Sequence, residues 1–172
     1  MKLEQSPGEL SSVNLLVSLL VRFPEIFTIN YNLAEAVFKL SFMLKVNVEQ
    51  ERYIKFRKHF SDCLKAYYGI LEFEQPVSPK ISKKLIKAWT LLQVTFYKKS
   101  ICFEEINLVS SLILNEFKKE IIVDTRENSY LSGEREIHSE DFIECLLPEK
   151  KKQEQENLFA FREAGKVYVF DK

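Results

Sequence analysis

Apolar residues recur along this chain at two different intervals, and the order in which those intervals alternate constrains the fold more than any motif does. Intervals of three and four belong to a helix with one buried stripe, and intervals of two to a strand with one buried face. In "PGELSSVNLLVSLLVR", Leu10, Val13, Val17, Leu20 and Val21 mark a helical face that stops before Pro24. Ser6 and Glu9 can form a capping box there, with Pro7 at the first helical position. The interval then falls to two. Phe27, Ile29 and Tyr31 oppose Thr28 and Asn30, and Phe38, Leu40, Phe42 and Leu44 oppose Lys39 and Ser41. Asn32-Leu33-Ala34-Glu35 lies between them as a turn, so the pair reads as an antiparallel hairpin.

A second helix is expected from Asn47, which can cap while Gln50 closes the box, to a stop at Gly69. Its apolar stripe is Tyr53, Phe56, Phe60, Cys63, Leu64 and Tyr67. "LEFEQPVSP" contains two prolines and is a loop. Residues 84–97 fit both periods: Leu85, Trp89, Leu92 and Phe96 suit a helix, while Ile86, Ala88, Thr90, Leu92, Val94 and Phe96 suit one face of a strand. Their β-branched and aromatic content favours a strand. A third helix, from about Phe103 to Glu120, points Ile106, Val109, Ile113 and Phe117 inward, with Lys118 and Lys119 in its last turn.

From Asp124 the periodicity lapses into a polar, acidic stretch. It revives only in "SEDFIECLL", where Phe142, Ile143, Leu146 and Leu147 give a two-turn helix an apolar face, with Ser139 as its cap. The chain closes on "NLFAFREAGKVYVFDK". With Ala164-Gly165 as a two-residue turn, Glu163 pairs with Lys166, Phe161 with Tyr168, and Phe159 with Phe170. That register places four aromatic rings on one face. The resulting order is helix, strand, strand, helix, strand, helix, tether, hairpin. It predicts a two-layer α+β sandwich in the ferredoxin-like order lacking its first strand, with the C-terminal hairpin added to the sheet. Three parts follow: an α+β body over 1–123, an acidic tether over 124–157, and the docking hairpin over 158–172. One arm of the hairpin could occupy the place of the missing strand.

Lysine plus arginine and aspartate plus glutamate both number 25, so net charge names no partner, but the charge is unevenly spread. Residues 52–99 hold eleven basic and three acidic side chains, and residues 124–157 hold five basic and ten acidic. Arg52, Lys55, Lys58, Lys83, Lys84 and Lys87 could form a basic face for nucleic acid, with Trp89, Phe96 and Tyr97 interleaved. The bland account of the same charge is a solvated helix face, or one covered by the acidic segment. The hairpin rings Phe159, Phe161, Tyr168 and Phe170, together with Phe142, Ile143, Leu146 and Leu147, are the candidates for contact with a protein partner or a second copy.

Catalysis has little to stand on. The four glycines supply neither a phosphate-cradling loop nor a dinucleotide fingerprint. Cys63, Cys102 and Cys145 are scattered, which suits reduced thiols in a cytoplasm and neither a disulfide framework nor a zinc site. His59 sits on the shoulder of the second helix, and His138 lies among carboxylates in the tether, away from a rigid frame. No cofactor, metal, membrane span or signal peptide is expected, and "VNLLVSLLV" is too short to cross a bilayer.

The opening "LEQSPGELSSVNLLVSLLVRFPEIFTINYN" and the closing "NLFAFREAGKVYVFDK" resemble a family of small proteins from Gram-positive, often anaerobic or thermophilic, bacteria. The resemblance implies a cytoplasmic bacterial protein and carries no mechanism. The reading is therefore a non-catalytic regulatory or adaptor module, with RNA binding by the basic face of 52–99 as the alternative.

Overall fold

The computed structural model describes residues 7–71, 78–97, 101–123 and 157–171. Among these residues three helices pack on a six-stranded, wholly antiparallel sheet, giving the two-layer α+β sandwich. The helices are α1 (Pro7–Arg22), α2 (Gln50–Ile70) and α3 (Phe103–Phe117). The strands are β1 (Thr28–Asn32), β2 (Val37–Leu44), β3 (Lys80–Ile86), β4 (Trp89–Tyr97), β5 (Asn157–Glu163) and β6 (Lys166–Asp171). Across the sheet they run β3-β4-β2-β1-β5-β6. The expected short helix in 139–147, and with it His138, Phe142, Ile143, Leu146 and Leu147, lies outside the described residues.

Register explains how one face becomes the core. Phe38 stands opposite Phe96 and Tyr31, Leu40 opposite Val94 and Ile29, and Phe42 opposite Leu92. Ile29 stands opposite Ala160 and Tyr31 opposite Leu158 on the far side of β1. These side chains line one pleated face and join Leu16, Leu20, Phe56, Phe60, Val109, Ile113 and Phe117 from the helices in one cluster. Burying a phenyl or leucyl side chain this fully is worth roughly 1.5–3 kcal/mol. The opposite face carries a smaller cluster, Met43, Ile86 and Leu91, with Phe27, Trp89 and Ile122 against it.

Several local expectations are corrected. The strand inferred over 84–97 is two strands, folded at Lys87-Ala88 with Lys87 at φ 56°. Neither residue is a turn former, which is why the hairpin is invisible in the sequence. The interior of the sheet needs no replacement strand, because β4 pairs directly with β2. The C-terminal hairpin adds instead outside β1. Phe27 precedes the β1 alternation and packs on the opposite face from Ile29 and Tyr31.

Asn47 does not cap α2. The N-cap is Glu49, without a side-chain bond, and the approach is fixed by Thr90. Its hydroxyl accepts from the Val48 N–H (2.9 Å) and donates to the Val46 carbonyl (2.8 Å). Gly69 lies inside α2 rather than ending it, and Leu71 closes the helix by donating to the Tyr67 carbonyl. Tyr68 is buried on the α2 stripe, with Cys63 and Tyr67 only partly so. Leu16 and Leu19 point inward from α1, whereas Val21 is exposed. α3 ends at Phe117, so Lys118 and Lys119 fall just beyond it.

Candidate functional site

The C-terminal hairpin is built by its turn. Ala164 and Gly165 both have positive φ, 47° and 73°, the twist that lets a two-residue loop join right-handed strands. That turn fixes the register, and Glu163–Lys166, Phe161–Tyr168 and Phe159–Phe170 are the observed pairs. The alternation then divides the hairpin between two jobs. Leu158, Ala160, Val167 and Val169 face the core, where α1 lies across β5 and β6. Phe159, Phe161, Tyr168 and Phe170 occupy the other face.

On that face the rings form a ladder. Phe161 stacks on Tyr168 with centroids 5.2 Å apart and 18° between planes, and on Phe170 at 5.7 Å and 8°. Phe159 lies 6.0 Å from Phe161. Phe159 and Phe161 are buried, while Tyr168 and Phe170 are 38% and 50% exposed. Offset aromatic stacking contributes about 0.5–1.5 kcal/mol per pair beyond area burial, which favours these ring positions. They make an apolar surface with one phenol hydroxyl.

The six basic candidates do not form one surface. Arg52 is bound to α3: its Nε lies 2.8 Å from Glu116 Oε1, Nη1 lies 2.9 Å from Glu120 Oε1, and the guanidinium covers the Phe117 ring. Those carboxylates raise its pKa further. Lys55 pairs with Glu51 one turn earlier. Lys83 donates to the Val48 carbonyl and lies over the Tyr53 ring, on the helix side of the sheet. Its neighbour Lys84 alternates to the opposite side, Lys87 is at the β3–β4 turn, and Lys58 is exposed on α2.

Two polar clusters were missed in the sequence. Cys102 caps α3: its N–H donates to Glu105 Oε2 (3.2 Å), and Glu105, 1% exposed, accepts from the Tyr68 hydroxyl (2.7 Å). Burial, then the bond to Glu105, pushes the Tyr68 phenol far up. Tyr67, whose hydroxyl is 3.7 Å from Cys102 Sγ, is pushed up to about 12, first by burial. The Ser110 hydroxyl, on α3, donates to the buried carboxylate of Glu25, in the segment between α1 and β1. The first cluster joins α2 to α3, and the second joins α3 to the connection between α1 and β1. His59 is exposed and meets Cys63 through Nε2 at 3.6 Å.

No family model matches the chain, and neither a curated relative nor a solved structure matches it. Among the described residues no helix is long and apolar enough to cross a membrane.

Proposed function

We propose that this is a non-catalytic protein-interaction module, of the bacterial cytoplasmic regulatory or adaptor kind, whose working surface is the aromatic face of the C-terminal hairpin. The observation that carries the reading is the exposure of Tyr168 and Phe170 beside the stacked Phe161 ring. Rigid aromatic side chains are what binding hot spots are enriched in, since they cover apolar area while losing few rotamers. The RNA alternative draws less support, because Arg52 and Lys83 are already engaged within the fold and Lys84 lies on the other side of the sheet from Lys83.

A quantitative pull-down comparing the natural chain with Tyr168→Ser/Phe170→Ser tests the reading. Proteins recovered by the natural chain should be lost with the double variant, whose circular dichroism should stay the same. Identical recovery with both chains would reject the hairpin face as the binding surface.

A further inference from the structure

The two edges of the sheet are unlike each other. β3, at one edge, is "KISKKLI", with Lys80, Lys83 and Lys84 along it. Lysines on an outer strand are a common guard against another strand adding there. β6, at the other edge, pairs among the described residues with β5 alone, and from Val167 to Phe170 it has no charge and no proline. All four residues there are β-branched or aromatic, the composition that favours strand pairing.

The turn settles which backbone groups the β6 edge presents. In a two-residue hairpin the residues flanking the turn, Glu163 and Lys166, exchange both backbone hydrogen bonds, and the pattern then alternates. Lys166, Tyr168 and Phe170 therefore direct their N–H and C=O groups at β5. Val167 and Val169 direct theirs outward. An unguarded row of outward donors and acceptors is a template for an antiparallel strand.

We infer that β6 is a self-pairing edge, on which a second copy of this chain adds about a two-fold axis at Tyr168. A two-fold perpendicular to the sheet keeps both helix layers on one side, and it must set outward groups against outward groups. With the axis at Tyr168, Val167 meets Val169 of the copy twice, making four backbone hydrogen bonds. Tyr168 meets Tyr168, and Lys166 lies opposite the ring of Phe170. Because Phe161 already stacks on Tyr168, the ring row continues through the interface as Phe161, Tyr168, Tyr168, Phe161. An axis at Val169 would instead set Tyr168 against Phe170, so that neither ring would meet its own copy.

The inference rests on the edge and not on the partner reading of the ring face. A chain monomeric at every concentration would overturn it and leave the pull-down comparison standing. Sedimentation velocity of the full chain is the direct test. So short a contact predicts a weak dimer, with a monomer–dimer transition at about 1–100 μM. Val169→Pro deletes an outward N–H that β5 does not use, and should weaken the dimer at least about tenfold. A second variant guards against a proline that misfolds the strand. In the natural three-cysteine background, Tyr168→Cys should oxidise to a disulfide dimer faster than Phe170→Cys, which faces Lys166 of the copy. Equal rates for the two would reject the register, and a dimer untouched by Val169→Pro in a folded chain would reject the edge.

Discussion

Ala164 is a non-glycine residue at φ 47°, a conformation in which a side chain's Cβ crowds the following carbonyl. The second turn position carries glycine and the first does not. Ala164→Gly should therefore raise stability, by up to about 1 kcal/mol once the extra freedom of the unfolded chain is offset. Urea denaturation should show the shift as a higher midpoint with an unchanged slope. A second prediction at this scale concerns pH. Folded Tyr68 keeps its proton to higher pH than an unfolded tyrosine with its pKa near 10.0, because the phenol is buried and donates to Glu105. Its contribution is complete below about pH 10 and is lost as the pH rises above that value. Stability measured between pH 9 and 12 should fall more steeply for the natural chain than for Tyr68→Phe, which has no phenol there to ionise.

At the scale of elements, what the sequence shows depends on whether the deciding interaction is local. The C-terminal hairpin is legible to the residue, since Ala-Gly between alternating runs fixes turn and register together. The β3–β4 hairpin is not, because Lys87-Ala88 has no residue that favours a turn and the strands are joined by their long pairing instead. The start of α2 is unreadable for a related reason. Asn47 looks like a cap, but the chain there is held by Thr90, 42 residues away from Val48. Thr90→Val would leave the Val48 N–H and Val46 carbonyl without that partner in a buried place. It should cost about 1–3 kcal/mol, far more than Asn47→Ala, which should be near neutral. Thermal unfolding of the two variants side by side measures the difference. The ring face of the hairpin was likewise legible as a face. That Phe159 and Phe161 would be buried and Tyr168 and Phe170 exposed was not, because burial depends on packing beyond the strand pair.

For the whole molecule, the hairpin closes the β1 edge of the sheet and gives α1 a surface on which to lie. Leu158 and Ala160 belong to the same apolar cluster as Leu20, Phe42 and Phe117, so the last residues of the chain are part of the core. We propose that one side of this hairpin holds the fold while the exposed rings on the other serve binding. Equilibrium unfolding in urea of Leu158→Ala against Tyr168→Ser/Phe170→Ser puts the two sides in competition. Leu158→Ala should cost about 2–4 kcal/mol through lost burial and an unfilled cavity. The double ring variant should cost less, about 1–2 kcal/mol, for two ring pairs at a half-exposed face. A ring variant as destabilised as Leu158→Ala would contradict the claim, since those rings would then be core.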